Sequence, residues 1–373
     1  MPSKSNPTGT DQILTNAVLS SNTGHVYGGS GKEPPDPDKL GCLKYLIGRW
    51  SSRKNPLDGY NVMPLPEVET RLEPLDNIIL KNFHYFEEMD FGFIGRVPNR
   101  GGRFTQNAYG LLYEQRVTIA DGPDKGSGIH AENGTWLNFI NEPQLVGPYG
   151  DPDPDNPPNT ITLDGPHSPP RSLSDADKKK RIPKTDPSRM IAKQVSVPHG
   201  NSLLALGTCR VIKGRPTIPV ISALPVGATM EVLKKYYPAG SATNDDAKNP
   251  NINPNWLLQQ TLDKTKKIDT TVILSVSTYN GGNIGNIPFE QGHANVSLFE
   301  TTFWIEFLGK KVLQVQYSQT INIEFPAVAG RIVFPHMTVN TLRPAGYQLS
   351  FKKAPEPTGA EVPGLGRTEH PDH

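Results

Sequence analysis

The sequence alternates apolar and polar residues over long runs, and this period of two restricts its fold more than any other feature. The alternating runs are residues 80–93, 108–119, 189–212, 270–279, 294–325 and 331–344. Side chains of a β-strand point to its two faces in turn, so a strand with one buried face produces this pattern. Turn-forming stretches separate the runs, and ADGPDKGSG at 120–128 predicts a hairpin.

Proline content supports the same fold class. The 37 prolines and 35 glycines among 373 residues predict many turns and little continuous helix, because proline interrupts helices and central strands. Antiparallel strands with hairpin spacing and no βαβ alternation predict an all-β fold: an antiparallel up-and-down β-barrel, closed or nearly closed. An opening helix at KLGCLKYLIGRW and helical or loop insertions would be added to it. Such barrels can hold a ligand inside.

A single domain between two flexible termini is expected. Residues 1–37 and 352–373 are rich in Pro, Gly and polar residues, which predicts a flexible arm and a flexible tail. The barrel domain would cover 38–351, with insertions at about 145–188 and 214–268. Two short helices are predicted in the second insertion, GATMEVLKKYY and NPNWLLQQTLDKTKK, and the latter has Leu258 and Leu262 on one face.

Charge and cysteine content argue against several classes of protein. With 38 Lys and Arg against 37 Asp and Glu, the net charge is +1, which gives no electrostatic reason to expect nucleic acid or a membrane surface as partner. The two cysteines, Cys42 and Cys209, form no CxxC motif or disulfide framework, which is typical of a reducing compartment. We find no secretion signal or membrane-spanning run, so a soluble cytoplasmic protein is expected.

A histidine lies within the last predicted strand, GRIVFPHMTVNTLRP. His336 shares a face with Phe334 and Thr338, whereas Val333 and Met337 point the other way. If the first face lines the barrel, the imidazole points into an apolar cavity. A neutral imidazole there is a competent iron or zinc ligand when its second nitrogen has a hydrogen-bond partner.

The strand by itself favours a structural histidine, either bonded to a backbone carbonyl or on the solvent face. A second histidine strengthens the functional interpretation. His130 lies in GIHAENGTW, again within a predicted strand, beside Glu132 and Trp136.

Five segments, in order, resemble the nitrobindin family of haem-binding β-barrels, which are related to lipocalins and fatty-acid-binding proteins. The segments are LKYLIGRW, FHYFEEMDF, IHAENGTWLNF, VSVPHGNSLLALG and HMTVNTLRP. Both insertions and both termini have no counterpart in the family. The stretch GRWSSRKNPLDG also lacks the glycine pattern that usually follows the tryptophan.

The resemblance implies that His336 is the proximal ligand of the iron of haem b. His130 and Ile129 would lie on the distal side, where His130 could donate a hydrogen bond or move a proton. A packing role for His130 stays an equal alternative. Trp50 completes the cofactor-binding set that the resemblance implies. Its role would be mainly architectural, as would those of Gly48, Glu132 and Gly134.

Three functions stay open at this point. The resemblance implies ferric haem that binds nitric oxide and isomerises peroxynitrite to nitrate. The long insertions suggest a lid, and with it peroxidase-like or oxygen-transfer chemistry on an organic substrate. The barrel also suits a carrier of a fatty acid or other apolar ligand without iron. The expected partner is a small molecule: nitrogen oxides, peroxide or an apolar organic compound. No nucleic acid or membrane partner is expected, and a homo-oligomer is left open.

Overall fold

A computed structural model describes residues 36–55, 57–66, 78–99, 106–139, 190–226, 246–265, 267–327 and 330–358. This part of the chain is mainly β-strand. The strands are β1 (Gly48–Ser51), β2 (Gly59–Val62), β3 (Pro64–Pro66), β4 (Ile78–Leu80), β5 (Phe83–Asn99), β6 (Gln106–Ile119), β7 (Gly128–Phe139), β8 (Met190–Val197), β9 (Asn201–Lys213), β10 (Thr270–Asn286), β11 (Asn295–Leu308), β12 (Lys311–Ala327) and β13 (Gly330–Gln348). The helices are a 3₁₀ segment (Pro37–Leu46), a short 3₁₀ turn (Asp246–Lys248), α1 (Asn255–Lys264) and α2 (Pro288–His293).

The strands close into a ten-stranded antiparallel barrel. From β5 to β13, each strand pairs with the next one along the chain. The tenth position is shared by β1 and β2, because each of these short strands pairs with both β5 and β13. The predicted all-β, up-and-down barrel is confirmed, including the hairpin around residues 120–128. Strands β3 and β4 form a separate ribbon.

One end of the barrel is sealed by the 3₁₀ segment, and we call it the sealed end. Leu40, Leu43 and Leu46 are fully buried. Leu43 and Leu46 are one 3₁₀ turn apart and therefore share one face of the segment, whereas Leu40 precedes its break at Gly41. The predicted opening helix is therefore of the 3₁₀ type, and it is broken at Gly41, where φ is +56°. Trp50 is fully buried at this end, and its indole N–H donates to the carbonyl oxygen of Leu46 at 2.7 Å.

The interior next to the sealed end is filled with large apolar side chains. Inward-facing members of this core include Phe91, Leu111, Trp136, Ile191, Phe303 and Phe307. They come from strands on all sides of the barrel. Burial of such a cluster is the main stabilising contribution to a fold of this kind.

Both insertions leave the barrel at the sealed end. Strand β7 ends there at Phe139 and β8 begins there at Met190, while β9 ends at Lys213 and β10 begins at Thr270. The insertion at 145–188 lies outside the described residues. The described part of the second insertion nevertheless reaches the other end of the barrel, where the N–H of Val226 donates to the carbonyl oxygen of Val333 at 3.1 Å.

The described parts of the second insertion cover the outer face of the barrel. Helix α1 confirms the second predicted helix, and its Leu258 and Leu262 pack against Trp304 and Val339. The first predicted helix, at 227–237, lies outside the described residues. No helix within the described ranges is long and apolar enough to cross a membrane.

Residues 352–358, where the predicted tail begins, return to the barrel. The backbone N–H of Thr358 donates to the carbonyl oxygen of Val211 at 3.0 Å. The N–H of Val211 donates to Oγ1 of Thr358 at 3.1 Å. This part of the chain is thus bonded to the end of β9.

Candidate functional site

Three histidines gather at the end of the barrel opposite the sealed end, which we call the histidine end. His130 lies near the start of β7, His199 in the turn between β8 and β9, and His336 in β13 opposite Ile321. The ring centroids of His130 and His199 are 5.7 Å apart, and the charges of both act on His336. The fold thus brings together the two histidines singled out in the sequence. It adds His199, an exposed residue of the turn.

His336 faces the interior of the barrel, the orientation that the alternation of the sequence had left open. It lies on the same side of β13 as Phe334 and Asn340, which are buried inside, whereas Met337 and Val339 pack in the outer cluster. Burial, with smaller contributions from the charges of His130 and His199, lowers the pKa of His336 to about 4. The imidazole is therefore neutral at physiological pH, the state in which it can bind a metal.

Asn61 of β2 fixes the tautomer of His336. Nε2 of His336 lies 2.7 Å from Oδ1 of Asn61. The Asn61 amide in turn donates through Nδ2 to the carbonyl oxygen of Lys81 at 3.0 Å, which turns Oδ1 toward the ring. An amide oxygen can only accept, so Nε2 carries the proton and Nδ1 holds the lone pair. Asn61 lies 275 positions away in the sequence, and no local pattern marks it.

His130 is held by a buried carboxylate. Its Nε2 lies 3.3 Å from Oε2 of Glu132. Glu132 also accepts from the Tyr113 hydroxyl at 2.8 Å and from Nζ of Lys193 at 3.2 Å. Burial opposes ionisation of Glu132, but the charges of Lys193 and His130 and these hydrogen bonds outweigh it and lower its pKa to about 2. Glu132 is thus an ionised acceptor that orients His130.

Lys193 is a buried cation that the sequence analysis missed. It is 1% exposed, and its Nζ lies 4.9, 5.8 and 5.1 Å from the ring centroids of Tyr113, Trp136 and Phe299. The sequence pattern does indicate its burial, because Lys193 occupies the inward position between Ile191 and Val195 in an alternating run. A buried ammonium needs a carboxylate partner, and Glu132 supplies it.

A second group of polar side chains lies beside this ion pair. Glu87 accepts from the Tyr317 hydroxyl and from Nδ2 of Asn340, both at 2.8 Å, and from Gln115 at 2.5 Å. Burial raises the pKa of Glu87 to about 8, so it is protonated at neutral pH. We call these residues, together with Glu132 and Lys193, the interior polar layer. It separates the filled core from the histidine end.

The other residues singled out in the sequence lie in different surroundings. Ile129 is 38% exposed at a β-bulge next to His130. Trp50 pairs with Pro344, about 26 Å from His336 along β13 at 3.3 Å per residue. Glu88, the neighbour of Glu87, faces outward and pairs with Arg53 at 2.9 Å. Cofactor binding by Ile129 and Trp50 stays a prediction.

Gly134 has the architectural role that the resemblance implied. A Cβ atom at this position would collide with the carbonyl oxygen of Gln194 on β8 and with the Tyr113 ring. Glycine therefore allows β7 and β8 to pair while Tyr113 reaches Glu132.

Metal-binding clusters are absent from the described residues: no group of three or more His, Cys, Asp or Glu side chains there is arranged to hold a metal ion. This finding concerns sites built entirely from protein ligands. Haem iron in globins and peroxidases is held by one proximal histidine.

Comparisons with known proteins give a weak structural similarity and no family. No protein-family model matches the chain, and no curated protein matches it significantly. Among solved structures, the chain is similar to Rv2717c from M. tuberculosis, with 14% sequence identity over 82% of this chain and 97% of that chain and a TM-score of 0.35. We draw no functional conclusion from this match. The strand pairings of the chain itself define the fold, an antiparallel barrel of the kind that can hold a small ligand inside.

Proposed function

We propose that this protein is a haem b-binding barrel in which His336 is the iron ligand. The observation that carries the proposal is the state of His336. It is a neutral, inward-facing imidazole at the histidine end of the barrel, close enough to His130 and His199 for their charges to act on it. The neutral imidazole is the form of histidine that binds a metal.

The residues at the histidine end fit haem in their chemistry. Ile321, opposite His336 on β12, and Phe334, two positions before it on β13, make its surroundings apolar, as the ring of a porphyrin requires. The interior polar layer closes the space below, and the core beneath it is filled by side chains such as Phe303 and Phe307. This filled core argues against a long apolar chain as the occupant. A flat group bound at the histidine end requires no space in this core.

Haem bound here would supply an iron atom that binds nitric oxide and, in the ferric state, acts as a Lewis acid toward peroxynitrite. His336 would hold the iron. His130, with Nε2 engaged by ionised Glu132, would present Nδ1 to accept or pass a proton. Isomerisation of peroxynitrite to nitrate rearranges one anion into another and needs no second substrate. It therefore requires only a small open site.

Peroxidase-like chemistry on an organic substrate is less well supported. It needs an organic electron donor and was suggested by the insertions as lids. Both insertions leave the barrel at the sealed end, although the second one returns along β13, where the N–H of Val226 donates to the carbonyl oxygen of Val333 at 3.1 Å. Peroxynitrite isomerisation and nitric oxide binding are accordingly the activities we propose.

Titration of the purified protein with ferric haem, followed by visible absorption, tests the proposal. The matched control for His336→Ala is His293→Ala, because His293 is exposed on α2 and contacts Phe289. We expect a saturable one-to-one Soret shift in the wild type and the control, and its loss or a clear change in His336→Ala. An identical shift in His336→Ala, or none in the wild type, would exclude His336 as the ligand and leave the apolar carrier as the better account.

A second assay addresses the activity. The haem-loaded protein should convert peroxynitrite to nitrate faster than the same concentration of free haemin. Peroxide-dependent oxidation of an aromatic dye well above that of free haemin would instead favour the peroxidase alternative.

A further inference from the structure

Asn61 engages the very nitrogen of His336 that a porphyrin-bound iron would need. Nε2 donates to Oδ1 of Asn61 at 2.7 Å, and the Asn61 amide is fixed by its bond to the carbonyl oxygen of Lys81. Nδ1 is the nitrogen with the lone pair, but it is adjacent to the ring carbon that bears Cβ. A large planar ligand at Nδ1 would therefore crowd the backbone of β13.

We propose that Asn61 is a positioning residue that holds ligand-free His336 as its Nε2–H tautomer and competes with the ligand for Nε2. The proposed competition between Asn61 and haem iron for Nε2 rests on the proposed function. The proposed tautomer of His336 does not depend on that function. Capture of iron through Nε2 then requires two changes. The Asn61 hydrogen bond opens, and the ring proton moves from Nε2 to Nδ1.

The position of Asn61 in the fold supports this role. Asn61 lies on β2, the four-residue strand that shares the closing position of the barrel with β1. It faces Thr338 across the β2–β13 pairing, one inward position from His336. The side chain is 5% exposed, so water competes little for its hydrogen bonds.

Two substitutions at Asn61 should move ligand affinity in opposite directions. Asn61→Ala removes the acceptor, and we expect ferric haem to bind about fivefold more tightly, because one net hydrogen bond no longer has to be broken. Asn61→Asp supplies an ionised acceptor, which strengthens the bond from Nε2. We expect haem to bind at least about fivefold more weakly to this variant. If Asn61 had only a structural role, both substitutions would change the haem affinity in the same direction.

Asn82→Ala is the matched control. Asn82 also bonds through its side-chain amide, to Asn251 at 2.8 Å and to the N–H of Met63 at 3.1 Å. It lies on the neighbouring segment, and neither of these bonds involves His336. Haem affinity should be unchanged in this variant.

The tautomer is measured without haem, by ¹⁵N–¹H correlation spectra of ¹⁵N-histidine-labelled apo-protein, with His336→Ala identifying the resonances. We expect the Nε2–H pattern for His336 in the wild type and a mixture of tautomers in Asn61→Ala. An Nδ1–H pattern in the wild type, or no change in Asn61→Ala, would overturn the proposal.

The haem titrations decide the competition. Tighter binding by Asn61→Ala together with weaker binding by Asn61→Asp supports it, whereas unchanged or weaker binding by Asn61→Ala refutes it. If no variant binds haem, the proposed function fails. In that case the ¹⁵N–¹H spectra of the apo-protein alone test whether Asn61 holds His336 as the Nε2–H tautomer.

Discussion

Glu87 and Glu132 lie on either side of Gln115 inside the barrel and hold opposite protonation states. Glu132 is paired with Gln115 across β6 and β7, and Glu87 accepts from the Gln115 side chain. Both carboxyls are buried, but only Glu132 has an ammonium partner. Burial raises the pKa of Glu87 to about 8, whereas Lys193 helps to lower that of Glu132 to about 2. The interior polar layer thus contains one ion pair and one neutral acid.

Removal of Lys193 should destabilise the barrel strongly. In Lys193→Met, Glu132 becomes a buried charge without its ammonium, and we expect a loss of about 3–5 kcal/mol in the free energy of unfolding at pH 7. The additional change Glu132→Gln should recover part of this loss. Urea unfolding measures both effects. Arg49→Ala, which breaks an exposed ion pair with Asp90, is the control and should cost less than about 1 kcal/mol. Equal losses of unfolding free energy in Lys193→Met and Arg49→Ala would contradict this account.

Acid should weaken the protein through the same ion pair. The folded-state pKa of Glu132 is lowered, from 4.5 to about 2, so its contribution to stability is present above pH 4.5 and is lost as the pH falls toward 2. Unfolding free energies measured between pH 6 and pH 3 should decline less steeply in the double variant Lys193→Met/Glu132→Gln than in the wild type. If the unfolding free energies of the two proteins declined in parallel with falling pH, the assignment of the acid effect to Glu132 would be refuted.

Glu306→Gln should stabilise the protein at alkaline pH. Glu306 is buried beneath α1 on the outer face, where it accepts from Gln314 at 2.7 Å. Burial raises its pKa from 4.5 to about 7, despite the nearby charges of Arg215 and Arg343. The wild type therefore loses stability as the pH rises from 4.5 to 7. At about 1.4 kcal/mol per pKa unit, that loss is about 3 kcal/mol.

Thermal unfolding at pH 5 and pH 8 tests this prediction for Glu306. The gain in melting temperature of Glu306→Gln over the wild type should be larger at pH 8. Glu300→Gln on the same strand is the control, because Glu300 is exposed. A gain that does not depend on pH would be inconsistent with a buried, titrating Glu306.

Gly134→Ala should disturb the interior polar layer. The added Cβ would press on the Gln194 carbonyl oxygen and the Tyr113 ring, and overpacking of this kind costs about 1–3 kcal/mol. Gly92→Ala is the control, because a Cβ at Gly92 meets nothing within 4 Å. Urea unfolding of the two variants gives the comparison. Similar stability of both would argue against close packing at Gly134.

His130→Leu should separate haem binding from catalysis. His130 is not the proposed iron ligand, so we expect the haem affinity of the variant to stay near that of the wild type. Loss of a group that holds or moves a proton should lower the rate of nitrate formation from peroxynitrite by at least about tenfold. Stopped-flow decay of peroxynitrite with the haem-loaded proteins measures this rate. An unchanged rate would assign His130 a packing role.

Local patterns predicted much of the fold. The period of two correctly predicted that His336 shares a face with Phe334 and Thr338, and the turn residues at 120–128 predicted the hairpin that joins β6 and β7. The opening helix was recognised, but its 3₁₀ geometry was not, since a spacing of three fits both helix types over one or two turns.

The sequence by itself determined the all-β class, the up-and-down order of the barrel and the residues that share a face with His336, because each depends on residues close together in the chain. Which face of β13 points inward was decided by closure of the barrel. Only the tertiary structure decided what His336 and His130 contact. Asn61 reaches His336 from a distant strand, and Lys193 reaches Glu132 across β7 and β8. The protonation states follow from those contacts, since burial and charge at a site depend on what the closed barrel brings around it.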